Sequence, residues 1–173
     1  MSEKKEKIIE AALKLFAKEG FYATSTSKVA KEANVSEGLI FRHFGNKEGL
    51  LNAILEEGKE RIKNLFADIV LEADPRKVIR KTLELPFIVK EKEYEFWKLQ
   101  FKLKWELEDF YEDKTEPLKR ILIHAFEKLG YEKPVLESEF LIHYIDGISA
   151  AILKNTLNDR EEFKQYILKK YKV

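Results

Sequence analysis

Apolar positions along this chain recur mostly at helical spacing, three and four residues apart, with polar and charged residues between them. Ile8, Ile9, Ala12, Leu15 and Phe16 make one stripe, which predicts a helix from about Glu3 to Glu19 with Gly20 as its C-cap. A short helix is expected over about Thr26–Ala33, capped by Ser25 or Thr26, and the Asn34-Val35 pair then makes a tight turn. Ser36 caps a third helix that runs to about Phe44. Gly45-Asn46 breaks the chain again, and Asn46 opens a long helix from Lys47 to about Leu71. Asp74-Pro75 is a cap and first-turn pair for a helix to about Lys90, which Pro86 is expected to kink. Further helices fit Glu93–Glu112, Glu116–Leu129, Pro134–Asn155 and Asp159–Tyr171.

One segment reads two ways. Leu99, Phe101, Leu103, Trp105 and Leu107 alternate with Gln100, Lys102, Lys104 and Glu106, the period of a strand. At helical pitch the same segment puts Tyr94, Trp97, Phe101 and Trp105 on one stripe and Phe96, Leu99, Leu103, Leu107 and Phe110 on the opposite one. No partner strand exists elsewhere, and a lone strand leaves its backbone groups unpaired. The segment is therefore expected to be a helix packed between neighbours. The fold class that follows is all-α, with about nine helices.

Composition narrows the function. The 173 residues are 45% hydrophobic and 36% charged, which suits a folded core. The formal charge is only +1, so any nucleic-acid role must rest on local placement rather than a global basic field. The absence of Cys removes disulfides, thiolate nucleophiles and Cys-based zinc sites. No apolar run resembles a signal peptide or approaches the roughly 20 residues of a membrane span. A soluble, cytoplasmic protein is expected.

The segment from Thr24 to Lys47, TSTSKVAKEANVSEGLIFRHFGNK, carries the strongest signal. It reads as two short helices joined by a turn too tight for anything but near-perpendicular packing. Val29 and Ala30 face inward, Val35 plugs the turn, Ile40 and Phe44 anchor the second short helix, and Leu13 and Phe16 close the core. Glu37, Gly38, Leu39, Phe41, Arg42 and His43 remain outside on that helix. An α-helix fits the major groove, and its exposed N-terminal face meets base edges.

At these residues the chain resembles the tetracycline-repressor (TetR) family of regulators. The resemblance covers roughly residues 5–55 without a gap, through IIEAALKLFAKEGFYATS and KVAKEANVSEGLIFRHFGNKEGLL. The Asp146-Gly147 pair resembles the Asp-Gly often seen in the family's penultimate helix. The resemblance implies a helix-turn-helix head, the motif itself at about 25–44 within residues 2–62, and a ligand-binding and dimerisation domain over 63–173. It further implies a homodimer on a near-palindromic operator of double-stranded DNA. A small-molecule effector entering the second domain would release it. By matching positions, Ser25, Thr26 and Ser27 meet phosphates, Glu37, Gly38 and Leu39 lie nearest base edges, and Phe41, His43 and Lys47 flank the backbone. The helix N-termini at Thr26, Ser36 and Asn46 add N–H donors. Three positions depart from the family: Glu37 stands where Lys is common, Leu39 replaces a small polar residue, and Phe41 replaces Tyr. Residues 1–50 hold nine Lys or Arg against seven Glu, a net of +2, so non-specific binding should be modest and salt-dependent.

Aromatic residues crowd the stretch from Phe87 to Tyr111. Phe87, Trp97, Phe101, Trp105 and Phe110 are candidates to line a pocket for an apolar or flat ligand, with Glu106 and His124 as polar contacts. The same rings also suit the plain core of a bundle. Phe140, Tyr144, Ile148 and Ile152, with Phe163 and Ile167, are candidates for a dimer seam of two helices per subunit, or for core within one subunit. His143 lies one turn from Glu139 and near Asp146, but no second such motif supports a metal, and no phosphate loop, nucleophile elbow or carboxylate pair is present. No cofactor and no catalytic activity are expected.

Overall fold

The computed structural model describes residues 3–106 and 115–173, the side chains of 104–106 excepted, and every regular element among them is helical. The α-helices are α1 (Glu3–Glu19), α2 (Thr26–Glu32), α3 (Glu37–Phe44), α4 (Lys47–Val70), α5 (Pro75–Glu84), α6 (Tyr94–Glu106), α7 (Glu116–Lys128), α8 (Pro134–Leu153) and α9 (Arg160–Tyr171). Short 3-10 turns occupy Leu85–Phe87 and Glu91–Glu93. The helix expected from Pro75 to Lys90 is thus shorter. Pro86 has no N–H to continue the ladder, and the chain tightens into a 3-10 turn around it. The stretch with strand-like alternation is helical through Glu106.

The chain folds as two compact units. The first takes residues up to 60 together with α6. Its core gathers Ile8, Ala12 and Phe16 of α1, Val29 of α2, Ile40 of α3, and Leu50 and Ile54 of α4. Leu99 and Leu103 of α6 are fully buried in the same cluster. This explains the two apolar stripes of α6: Phe96, Leu99 and Leu103 are buried, while Trp97 and Phe101 on the other side are half-buried. The boundary expected after residue 62 follows the order of the chain, whereas packing places α6 with the N-terminal helices. Burial of each such side chain contributes about 1.5–3 kcal/mol, which beats the weak strand preference of an alternating pattern.

The second unit takes residues 61–91 and, among the described residues, 115–173. Val78, Ile79 and Leu83 of α5 pack with Leu122 and Phe126 of α7, Leu141 of α8 and Ile167 of α9. Its buried hydroxyls have partners. Tyr144 donates to the Leu83 carbonyl at 3.2 Å, Ser138 to Lys119 O at 3.1 Å and Thr82 to Val78 O at 2.8 Å.

Where α4 ends, the Lys81 ammonium donates to Glu72 Oε2 at 2.8 Å and to Asp68 O at 3.0 Å. The backbone N–H groups of Ala73 and Asp74 donate to the other carboxylate oxygen of Glu72. The Lys81 hydrogen bond first, and the Asp74 N–H second, hold the Glu72 carboxyl down at about 2. A carboxyl lowered by folding stabilises the fold above its ordinary value of about 4.3, and that contribution is lost as pH falls towards 2. The midpoint of thermal unfolding, followed from about pH 6 to about pH 2, should therefore drop less steeply in Glu72→Gln than in the parent. Parallel curves would show that Glu72 gains nothing from its partners.

Candidate nucleic-acid interface

Three short segments build one surface of the first unit: the start of α2, the whole of α3, and the corner where α3 meets α4. Ser25 has extended backbone and its side chain accepts from Lys28 N at 3.2 Å, which caps α2. Asn34 takes a left-handed conformation (φ 53°) and lets the chain reverse within two residues. Val35 N then donates to Ala30 O at 3.0 Å, fixing the turn between α2 and α3. Ile40 is fully buried and holds α3 from below, with Phe44 packed against the same cluster. The Lys5 ammonium lies 5.6 Å from the centre of the Phe44 ring, a cation–π contact that ties the start of α1 to the end of α3.

Gly45 (φ 80°) closes the last turn of α3, its N–H donating to Phe41 O at 2.8 Å. Asn46 caps α4 by accepting from Gly49 N at 2.7 Å. Gly49 has no room for a side chain, because a Cβ placed there runs into the Phe44 carbonyl oxygen. Sequence reasoning missed Gly49. Its only signal is a glycine in the first turn of a helix, where propensity alone favours another residue.

The predicted contact residues divide into three groups. Ser25, Ser27, Ser36, Gly38, Phe41 and Arg42 are exposed, and Phe41 keeps 45% of its surface open. Around Gly38 nothing lies within 4 Å of where a Cβ would stand. Leu39 and His43 are half-buried, and Leu39 packs against the core of the unit as a footing for α3, so the expectation that both lie wholly outside is corrected. Thr26 and Glu37 satisfy each other: Thr26 Oγ1 donates to Glu37 Oε1 at 2.5 Å, joining the first turn of α2 to the first turn of α3.

Lys47 needs a further correction. It was expected beside the DNA backbone. Its ammonium instead donates to Phe21 O at 3.1 Å, Thr24 O at 3.1 Å and Tyr22 O at 3.5 Å, and stands 4.5 Å from the centre of the Phe21 ring. The carbonyls of a loop that has left α1 but not begun α2 lack helical partners, and a three-donor ammonium satisfies them.

The other candidates lie apart from this surface. Trp97 and Phe101 sit half-buried on α6 in the first unit, and Phe87 sits half-buried in the second. The Trp105 side chain, Glu106 and Phe110 lie outside the described residues. His124 is exposed on α7, 3.8 Å from Glu127, so it lines no enclosed pocket. Of the seam candidates, Tyr144, Ile152 and Ile167 are buried within the chain, as the core alternative has it. Phe140 is 49% exposed, and Ile148 and Phe163 are half-buried. The Glu139 carboxylate is engaged by Lys119 at 3.0 Å, and no group of three metal-ligating side chains occurs among the described residues. No helix among them is long and apolar enough to cross a membrane.

Two short helices at a tight turn, with a short exposed second helix footed on the first and braced by a third, define a helix-turn-helix head. Residues 8–54 match the family described as bacterial regulatory proteins, tetR family, so this head is similar to the heads of that family. An HTH-type transcriptional regulator of Bacillus subtilis, YerO, is 36% identical over 91 residues, a match covering 50% of this chain and 31% of that protein. The chain thus matches about a third of the length of such curated relatives. The solved structure of a transcriptional regulator (TerR/AcrR family) from Aquifex aeolicus VF5 is 25% identical, covers 96% of each chain and superposes with a TM-score of 0.68. A putative transcriptional regulator from Saccharomonospora viridis, solved in complex with choline, shares the fold with a TM-score of 0.74 at 21% identity, covering 99% of this chain and 96% of that one.

Proposed function

We propose that this chain is a DNA-binding transcriptional regulator, a repressor that grips a near-palindromic operator as a homodimer and lets go when a small apolar or aromatic molecule enters its second domain. The observation that carries the reading is the open side of α3. Gly38 has empty space around it, Arg42 is one turn further on, and Phe41 is exposed beside them. A helix face with a bare backbone at its N-terminal end can come close to base edges. Ser25, Ser27 and Ser36 offer hydroxyls and helix N-termini to phosphates on either side.

For the homodimer, the support is the outer face of α8, where Leu136 and Phe140 are exposed in line with His143 and Gly147, together with Tyr166 exposed on α9. Exposed apolar side chains on α8, with Tyr166 on α9, suit an isologous four-helix seam. Phe140, Ile148 and Phe163 of the seam candidates remain available to it, while Tyr144, Ile152 and Ile167 support it from within. For the effector, the support within the second unit is the half-buried ring of Phe87.

A second reading keeps an observation in its favour. The Thr26 hydroxyl is taken by Glu37 and the Lys47 ammonium by loop carbonyls, which removes one hydroxyl and one cation from the predicted phosphate contacts. A dimeric ligand-binding scaffold with weak or no DNA affinity would look the same.

Gly38→Leu separates the two. Leucine favours a helix over glycine by about 0.5–1 kcal/mol and meets no neighbour, so the thermal midpoint should hold or rise. Its side chain stands where the duplex must approach, so affinity for DNA from beside the gene, read by fluorescence anisotropy, should fall by about tenfold or more. Equal binding by parent and variant, no better than to random DNA, favours the scaffold.

A further inference from the structure

We infer that Glu37 is a specificity-determining residue that selects a cytosine in the major groove, with its carboxylate aimed by Thr26. This rests on the DNA-binding reading above. Glu37 is the first residue of α3, next to Gly38 and the empty space around it. When the second helix of a helix-turn-helix enters the major groove, its N-terminal residues meet the base edges. The side chain that arrives there in this chain is a carboxylate, which has acceptors and no donor.

That carboxylate is held before any DNA arrives. Thr26, the first residue of α2, donates its hydroxyl to Glu37 Oε1 at 2.5 Å, and both residues are half-buried. The Glu37 carboxylate has no other hydrogen bond or ion pair among the described residues, which leaves Oε2 open to a donor. The bond fixes a side chain that otherwise turns freely, so ordering it against a base costs less. Ile40, fully buried, keeps α3 itself in place.

The chemistry of the groove then ranks the bases. A carboxylate brought among phosphates is repelled, and only a donor on a base offsets that repulsion. Guanine presents two acceptors, N7 and O6, and thymine presents O4 beside a methyl group. Adenine sets the donor N6 beside the acceptor N7. Cytosine offers the N4 amine and no acceptor. Cytosine therefore ranks first, adenine second, and guanine and thymine last.

The test is selection by the full chain from a pool of random-sequence duplexes about two helical turns long. Anisotropy on the selected duplex, with one position changed in both half-sites, then measures the margin between bases. The parent should select a cytosine at one position of each half-site. Guanine or thymine there should weaken binding by about tenfold or more. Glu37→Gln keeps an acceptor for Thr26 and adds the donors of an amide, which suits adenine N6 and N7. This variant should hold the parent's thermal midpoint, select adenine in place of that cytosine, and leave the other positions unchanged. Thr26→Val should still prefer cytosine, with the margin over the other bases cut by roughly threefold.

A Glu37→Gln variant that selects the parent's site unaltered, or that weakens every duplex alike, overturns the inference and leaves the DNA reading standing. Glu37 is then only a brace between α2 and α3. An unchanged cytosine margin in Thr26→Val overturns the aiming role. If the parent enriches no sequence from the pool, the DNA reading itself falls and the choice of base with it.

Discussion

Gly49→Ala is expected to destabilise the first unit by about 3 kcal/mol and to abolish duplex binding. Propensity argues the other way, since alanine in a helix is better than glycine by about 1 kcal/mol. The collision decides the sign. The new methyl group would meet the Phe44 carbonyl oxygen, which is backbone and cannot swing aside as a side chain can. Relief requires either the end of α3 or the start of α4 to move. Gly45 and the Asn46 cap hold both in place, the one by its left-handed turn and the other by its bond to Gly49 N. Moving that corner re-aims α3, so binding should fail even in the fraction still folded. Thermal unfolding and anisotropy on the full chain measure the two effects. A variant as stable as the parent, binding as well, would contradict the tight corner described above.

Ile40→Ala should cost about 2–5 kcal/mol, and Ile40→Val about 1 kcal/mol. Ile40 is the side chain of α3 that is fully buried, and the transfer and cavity contributions both apply there. The loss should fall unevenly. An eight-residue helix has no stability of its own and persists only while its buried face is held. Amide exchange over residues 37–44 should therefore rise before the rest of the unit opens, and DNA affinity should fall further than global stability predicts. Uniform protection across α1 and α3 in the alanine variant would contradict the footing role of Ile40.

Much of this could be read from the amino-acid sequence because helices with strong stripes and caps announce themselves. The bounds of α1 agree to the residue with the stripe from Ile8 to Phe16 and the stop at Gly20. Asp74-Pro75 and Asp159 start α5 and α9 where cap chemistry says they should. What stayed hidden shares one physical cause: periodicity shows that a face is apolar, not what covers it. Tyr144 and Ile167 read equally as seam or core and are buried, while Phe140 on the same stripe as Tyr144 is open. Leu39 reads as exposed because its neighbours are, yet it leans on the core. The partners of Lys47 are hidden for a different reason. Its partners are main-chain carbonyls, and any residue supplies those, so no side-chain pattern points to them. Glu37 and Thr26 each read as DNA contacts, and the bond between them, eleven residues apart in the chain, depends on the angle between α2 and α3.

The membership of α6 in the first unit bears on protein engineering. A gene fragment cut at residue 60 would encode four helices with a missing wall, because Leu99 and Leu103 close the cluster formed by α1 and α4. Lys102 also donates to the Ala17 carbonyl at 3.4 Å, near the end of α1. Grafting this reading head onto a foreign sensor by a single splice would leave that wall behind. A working chimaera has to carry two separate stretches of the parent, residues 3–60 and the α6 segment, with the foreign chain threaded between them.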